Sequence, residues 1–317
     1  MELILLTAVQ ACLLVVFAAA ARRRRRRLLS TVEEVALTIA SSALGTERTV
    51  FVYLPPGYRS SAARYPVLYI NDGQERAAFG LQETLARLHA AGRIRSLIAV
   101  AIPTNDNRLH EYGTAVAASS RRLGARAAAY RDFVTDELMP VVDAKFRATS
   151  EAAFLGVSLG GLSAFDIARS CPERFLAVGV MSGSFWWQAA EDETAIEPGQ
   201  RITHALVRRE GAPPRQRYWF QASTRDELCD RDGNGVIDAI QDTTELMDEL
   251  LMAGVAPERL HYVEVAGGRH DYATWAKVLP DFLVWCFGIG AGTTYANWAE
   301  PCFRPVAESA QSMVSAL

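Results

Sequence analysis

The sequence predicts an α/β fold in which a mainly parallel central sheet carries helices on both faces. Strand-like runs alternate with helix-like segments along most of the chain, which is typical of parallel strands joined by crossover helices. The run at residues 65–70 is apolar throughout, as a central strand buried on both faces should be. The chain of 317 residues is long enough for one such domain, which we assign to residues 31–290.

The first thirty residues form a separate segment. Residues 3–21 carry no charge and are just long enough to span a bilayer, and six arginines follow at residues 22–27. An uncleaved membrane anchor, a secretory signal and a start codon assigned too early all fit this pattern. We therefore expect a membrane-anchored protein, associated with the membrane through residues 3–21, or a secreted or periplasmic one.

The first half of the domain is predicted to hold four strands and two helices. Alternation of apolar and polar side chains indicates two antiparallel edge strands, and two buried strands follow, with a turn and a helix between them. Beyond the second buried strand we expect a polar loop and then a helix that is interrupted at Pro140. The ranges are 32–39, 49–54, 65–70 and 96–102 for the strands, 103–118 for the loop, and about 75–91 and 121–146 for the helices.

Residues 156–161 read Gly-Val-Ser-Leu-Gly-Gly and contain a G-x-S-x-G motif. An apolar strand enters the motif and a helix-like segment, residues 161–170, leaves it, so the stretch fits a nucleophile elbow. A serine on such a strained turn exposes its hydroxyl, and small neighbours let the two backbones pass closely. Ser158 is the predicted nucleophile, and it needs a carboxylate and a histidine further along the chain.

The rest of the chain continues the alternation. A strand is followed by an aromatic turn, a loop with one short helix, another strand and a polar loop. A helix, the last strand and an amphipathic helix complete the domain, and a C-terminal tail is expected to pack on the surface. In chain order these segments are residues 176–181, 182–187, 191–214, 218–222, 226–242, 243–253, 260–265, 272–287 and 291–317.

His270 and Asp226 are the predicted partners of Ser158. Catalytic groups of such sheets collect beyond the carboxyl ends of the strands, and His270 follows the last strand by a few residues. The acid that orients the imidazole should lie on the loop after the preceding strand, where Asp226 is our choice. Two further carboxylates of that loop stay open as alternatives, Glu227 and Asp230.

Other groups expected to contact a substrate lie at the same edge of the sheet. The backbone N–H groups of Leu159 and Gln74 are predicted to bind the oxyanion, since one follows the nucleophile and the other follows a central strand. Trp186, beside the elbow, could wall an acyl or aryl pocket or could belong to the core. His110, on the polar loop, is a further candidate for substrate contact.

Charge, cysteine content and one loop motif indicate which cofactors and partners to expect. A net charge of −3 gives no electrostatic footprint for nucleic acid. Five cysteines without a CxxC pair indicate neither a zinc site nor a disulfide framework. Residues 230–238 match the first nine positions of a calcium loop, but Gln241 replaces its closing carboxylate. No cofactor is required, and calcium binding and a loop stabilised by its own side chains both stay open.

Several stretches together resemble the putative-esterase family of α/β-hydrolases, which includes enterochelin, feruloyl and acetylxylan esterases, esterase D and mycolyltransferases. The match covers about residues 31–287. It rests on Tyr-Leu-Pro-Pro-Gly-Tyr at 53–58, Pro-Val-Leu-Tyr at 66–69, Asp-Gly-Gln at 72–74, the elbow, Ser-Gly-Ser-Phe-Trp-Trp at 182–187 and Gly-Arg-His-Asp at 268–271. The resemblance implies an α/β-hydrolase fold and a serine esterase with the triad and oxyanion amides named above.

The resemblance also extends to the polar loop. Arg108 and Glu111 match an Arg-x-x-Glu placement of the enterochelin-esterase branch, which implies that this loop binds substrate. The expected activity is hydrolysis of a small-molecule carboxylic ester through an acyl-enzyme intermediate. An acyltransferase of the same fold and a non-catalytic binding module that keeps the fold are the alternatives.

Overall fold

The computed structural model describes residues 17–189 and 199–289. One eight-stranded sheet runs through them. Its strands are β1 (Glu33–Ser41), β2 (Thr46–Leu54), β3 (Tyr65–Asn71), β4 (Ile98–Ile102), β5 (Ala148–Val157), β6 (Phe175–Met181), β7 (Arg217–Arg225) and β8 (Leu260–Arg269). The strand order is β1-β2-β4-β3-β5-β6-β7-β8. The pairs β1/β2 and β2/β4 are antiparallel, and the other neighbours are parallel, as predicted.

Helices cover both faces of the sheet. They are α1 (residues 17–29), α2 (Leu81–Ala90), α3 (Arg108–Glu111), α4 (Ala127–Asp132), α5 (Met139–Lys145), α6 (Ser158–Ser170), α7 (Ile202–Glu210), α8 (Asp238–Met252) and α9 (Tyr272–Phe287). Successive side chains of a strand point to opposite faces. Tyr69 of β3 accordingly packs in one core with Leu162 of α6, while its neighbour Leu68 packs in a second core with Leu85 of α2 and Phe282 of α9.

The helix predicted over residues 121–146 is not interrupted at Pro140. It begins at α4, continues through a π-helical segment, Phe133–Leu138, and ends with α5. Pro140 is the second residue of α5 and follows almost directly on the π-helical segment. The prediction of a break was therefore wrong, because the proline follows directly on a change of helical pitch.

Two other helix starts differ from the prediction. Residues 73–75 form a separate 3₁₀ turn, Gly73–Glu75, and α2 begins only at Leu81 after Gly80, whose φ is +65°. The helix expected from residue 243 starts at Asp238, so part of the predicted polar loop is helical. In both places a helix was predicted correctly, but the position of its first turn was not.

The N-terminal segment is described only from Phe17. Helix α1 carries the six arginines, all of them exposed, and Arg25 binds Glu83 of α2 at 2.6 Å. Most of the predicted anchor, residues 3–16, and the tail, residues 291–317, lie outside the described residues. Within the described ranges, no helix combines the length and apolar character needed to cross a membrane.

Candidate active site

The strand-to-helix turn at Ser158 has the geometry of a nucleophile elbow. β5 ends at Val157, α6 begins at Ser158, and the φ of Ser158 is +53°, in the left-handed region that a residue with a Cβ seldom adopts. A Cβ at Gly156 would lie 2.1 Å from the carbonyl oxygen of Gly160, so only glycine fits there. The close approach of strand and helix therefore depends on the glycines of the motif.

His270 lies beside this serine. Its Nε2 is 2.9 Å from the Oγ of Ser158, although 112 residues separate the two in sequence. The loop that carries His270 is fixed at its end by Asp271, whose carboxylate caps α9 by accepting a hydrogen bond from the N–H of Thr274 at 2.8 Å. That backbone hydrogen bond lowers the pKa of Asp271. The structure thus brings the predicted base within hydrogen-bond distance of the predicted nucleophile.

Asp226 is the carboxylate that the structure brings to His270. It follows β7 directly, its side chain is 0% exposed, and its Oδ1 lies 3.7 Å from the Nδ1 of His270. This separation is longer than a hydrogen bond. The alternative Asp230 instead accepts hydrogen bonds from the backbone of its own loop. Burial raises the pKa of the other alternative, Glu227.

Two backbone N–H groups are available near the elbow. Leu159 is the second residue of α6, where N–H groups have no partner within the helix. In the 3₁₀ turn after β3, the first hydrogen bond runs from the N–H of Glu75 to the carbonyl of Asp72, so the N–H of Gln74 precedes it. Since β3 and β5 are adjacent and parallel, both amides lie beyond the carboxyl ends of neighbouring strands.

The residues expected to bind substrate have different surroundings. Arg108 is about one third exposed and binds Asp72. Glu111 is 0% exposed, and both of its carboxylate oxygens accept hydrogen bonds from Nη2 of Arg48, at 2.9 and 3.0 Å. The prediction that Glu111 binds substrate is therefore wrong, because a buried ion pair occupies its carboxylate.

The aromatic turn after β6 is divided between core and surface. Phe185 and Trp187 are fully buried, whereas Trp186 is 37% exposed. The guanidinium of Arg121 lies 5.3 Å from the centroid of the Trp186 ring. Only Trp186 of the three could therefore contact a substrate.

Ser182, at the start of the same turn, was not singled out by the sequence. Its hydroxyl donates a hydrogen bond to Asp226 Oδ1 at 3.0 Å. Ser182 belongs to the stretch 182–187 that contributes to the family resemblance, but nothing in that stretch indicates its partner, because the contact joins loops that are 44 positions apart.

The loop at residues 230–238 is closed by its own hydrogen bonds. The two carboxylate oxygens of Asp230 accept from the N–H groups of Asn234 at 3.1 Å and Gly235 at 2.9 Å. The side-chain oxygen of Asn234 accepts from the N–H of Val236 at 2.8 Å. Within residues 17–189 and 199–289, no group of three or more His, Cys, Asp and Glu side chains is arranged to hold a metal ion. Calcium binding is the untested alternative to a loop stabilised by its own side chains.

A family model, two sequence relatives and a solved structure are similar to this chain. The family described as "Putative esterase" matches residues 41–286. Uncharacterized protein YbbA of Bacillus subtilis is 25% identical over 258 residues, which are 78% of this chain and 95% of that protein. The iron(III) enterobactin esterase of Dickeya dadantii is 29% identical over 255 residues, 77% of this chain but only 53% of the relative. An enterobactin esterase from Shigella flexneri, solved in the presence of enterobactin, has a TM-score of 0.63 at 20% identity, covering 80% of this chain and 58% of that one. This structural likeness confirms the predicted fold class.

Proposed function

Because this chain belongs to the putative-esterase family, we propose that it is a serine esterase that hydrolyses a small-molecule carboxylic ester through Ser158, His270 and Asp226. The observation that carries the proposal is the 2.9 Å separation of His270 Nε2 and Ser158 Oγ at a strained strand-to-helix turn. A serine hydroxyl is a weak nucleophile, and an adjacent imidazole can take its proton during attack. No cofactor enters this chemistry.

The mechanism follows from these positions. Ser158 Oγ attacks the ester carbonyl carbon while its proton passes to Nε2 of His270. The carbonyl oxygen becomes an oxyanion, which the N–H groups of Leu159 and Gln74 would bind. The tetrahedral intermediate collapses to an acyl-enzyme, and His270 gives the proton to the departing alkoxide oxygen. Water then attacks the acyl-enzyme by the same route, and Asp226 stabilises the imidazolium formed in each step.

The substrate is proposed only as a class. The name of the Dickeya dadantii relative refers to enterobactin, but this chain spans about half of that protein and shares 29% of the aligned residues. The turn that carries Trp186 offers an exposed aromatic side chain close to the elbow, since the N–H of Ser184 donates to the carbonyl of Ser158 at 3.2 Å. We therefore include aryl esters and macrolactones with simple acyl esters in the substrate panel.

The test uses Ser158→Ala and a matched buried serine. Ser41 is buried on edge strand β1, away from the site, so Ser41→Ala controls for the loss of a hydroxyl as such. Ser158→Ala should abolish turnover of p-nitrophenyl acetate and labelling by a fluorophosphonate, whereas Ser41→Ala should keep both. Labelling that persists in Ser158→Ala would refute the assignment.

The same panel separates the alternatives. An acyltransferase would form a new ester when an alcohol acceptor competes with water, so product analysis identifies it. A binding module would keep its fold and turn over no ester of the panel. We also propose a membrane-anchored or exported location from residues 3–27, which mass spectrometry of the mature N-terminus and membrane extraction would test.

A further inference from the structure

The carboxylate of Asp226 is held from two sides by the chain. Its side chain is 0% exposed, and a buried carboxylate is tolerated only when hydrogen bonds replace water. Oδ2 accepts from the N–H of Ser223 at 2.8 Å, and Oδ1 accepts from the hydroxyl of Ser182 at 3.0 Å. Oδ1 is also the oxygen that faces His270. Ser182 therefore fixes the oxygen atom on which the orientation of the imidazole depends.

The direction of the Ser182 hydrogen bond is set by a tryptophan. Nε1 of Trp275 lies 2.9 Å from Ser182 Oγ, and an indole N–H can only donate. The serine oxygen is thus the acceptor in that contact, and its own proton is free to point at Asp226. A second acceptor, Oε1 of Gln221, is 3.5 Å away, which is too long to compete with the carboxylate.

Trp275 also contacts His270 itself. The edge of one ring meets the face of the other, with centroids 5.0 Å apart and planes at 80°. Trp275 lies in the first turn of α9, immediately after the loop that carries His270. It is 4% exposed and Ser182 is 2% exposed, so bulk water does not replace either contact. One indole therefore packs against the base and donates to the residue that holds the acid.

We propose that Ser182 and Trp275 are positioning residues for the proposed esterase reaction. Trp275 orients Ser182, Ser182 holds Oδ1 of Asp226 toward His270, and the packing of Trp275 restrains the imidazole. This inference rests on the proposed function, because a positioned acid and base matter only if Ser158 is the nucleophile. Their contribution falls on kcat, since the positioned imidazolium forms in the transition state and not in substrate binding.

Ser182→Gly is the variant that removes the hydroxyl. The φ of Ser182 is +48°, a left-handed conformation that glycine adopts without strain, so the turn can keep its shape. The matched variant of Trp275 is phenylalanine, which keeps an aromatic ring against His270 and lacks the N–H. Ser182→Gly should lower kcat by about 10- to 100-fold, the equivalent of one hydrogen bond to a charged group, with KM within about twofold. Trp275→Phe, which removes a hydrogen bond to the neutral Ser182 hydroxyl, should lower kcat by about 3- to 10-fold. Ser182→Cys, with a weak donor, should recover part of the rate.

A double variant tests whether the two residues act in series. If Trp275 works through Ser182, the combined Ser182→Gly and Trp275→Phe change should cost little more than Ser182→Gly alone. Trp285 lies on the same helix but contacts Arg217 and Phe282, so Trp285→Phe is the control and should keep the wild-type kcat. Independent, additive losses would overturn the relay, as would a Trp285→Phe variant that loses as much as Trp275→Phe.

A spectroscopic readout separates this inference from the proposed function. The proton on imidazole Nδ1 gives a low-field proton resonance when a carboxylate accepts it. In the fluorophosphonate adduct, where His270 and Asp226 should close from 3.7 Å to hydrogen-bond distance, this resonance should be present in the wild type and weakened in Ser182→Gly. If Ser158→Ala keeps esterase activity, the proposed function fails whatever this resonance does. If Ser158→Ala is inactive while Ser182→Gly keeps full kcat and an unchanged resonance, only the positioning role is refuted. Lower thermal stability with unchanged kcat would also refute it.

Discussion

Arg108 binds both carboxylate oxygens of Asp72, with Nε 2.6 Å from Oδ1 and Nη2 2.7 Å from Oδ2. The Asp72 side chain is 1% exposed, and its φ of +56° places it in the left-handed region. Its N–H donates to the hydroxyl of Tyr112 at 2.8 Å. Because Asp72 directly precedes the turn that carries Gln74, this ion pair connects the polar loop to a predicted oxyanion amide. Nε and Nη2 of Arg108 both donate to Asp72, so Nη1 is the guanidinium nitrogen that does not contact this carboxylate.

The first prediction concerns this ion pair. Arg108→Met should lower the free energy of unfolding by about 3 kcal/mol, because it leaves the buried carboxylate of Asp72 without its cation. We choose the low end of the range for buried pairs since Arg108 is 30% exposed. Adding Asp72→Asn should restore most of the loss, as measured by urea denaturation. A rise in KM with unchanged stability would show instead that Arg108 acts mainly on substrate.

The second prediction concerns Glu111, which the resemblance placed in the substrate site. Glu111→Gln leaves the guanidinium of Arg48, which is 5% exposed, without a counter-charge, so stability should fall by about 3 kcal/mol. The KM of the folded fraction should stay at the wild-type value. Glu47→Gln, which removes an exposed carboxylate from the adjacent position, is the control and should change neither quantity. A KM increase in a fully stable Glu111→Gln protein would contradict the structure.

Periodicity and motif spacing were sufficient for the order of the elements and for the edge of the sheet where polar loops meet. Apolar runs such as residues 65–70 have few competing interpretations, and a glycine-flanked serine after a strand requires a turn of known shape. Ser158 and His270 could therefore be selected from the chain, and the structure places their side chains 2.9 Å apart.

Partner choice between distant side chains could not be predicted in this way. Glu111 binds Arg48, which is 63 residues away, and nothing in either segment indicates the other. Ser182 is one of many serines, and its role depends on a left-handed φ and on two loops that only the folded sheet brings together. The effect of Pro140 on its helix could not be predicted for a related reason. The π-helical segment before it is set by packing and leaves no sequence signal.

The third prediction addresses the calcium-like loop. Arg231 already supplies positive charge there, since its Nη1 lies 3.6 Å from Oδ2 of Asp238 and its Nη2 donates to Oδ1 of Asp242 at 2.6 Å. The side chains of Asp230 and Asn234 accept hydrogen bonds from backbone N–H groups of the same loop. We therefore expect the melting temperature and esterase activity to be unchanged by EDTA and by added calcium, whereas Arg231→Ala should lower the melting temperature. A calcium-dependent rise in melting temperature that Asp230→Asn removes would establish a metal site.

The fourth prediction is a dependence of stability on pH, and it rests on His204 of α7. The residue is 3% exposed. Its Nε2 lies 2.9 Å from the carbonyl oxygen of Asp242, and no partner is found for its Nδ1 among the described residues. Burial, followed by the positive charge of Arg201, lowers the pKa of His204 to about 3, while the hydrogen bond to the Asp242 carbonyl and then the charge of Glu245 act in the opposite direction. The folded protein therefore keeps this imidazole neutral well below the pH at which the unfolded chain binds a proton.

Between the ordinary histidine pKa of about 6.5 and the folded value of about 3, only the unfolded state is protonated at this site. The contribution of neutral His204 to the free energy of unfolding is thus at its full value above about pH 6.5. As the solution is acidified below that pH, the free energy of unfolding falls by about 1.4 kcal/mol per pH unit. His204→Gln, which keeps a donor for the Asp242 carbonyl, should flatten the slope of unfolding free energy between pH 4 and 6.5 by about that amount. His110→Gln, at an exposed position, is the matched control and should keep the wild-type slope. Equal slopes in wild type and His204→Gln would show that this histidine is already protonated in the folded protein.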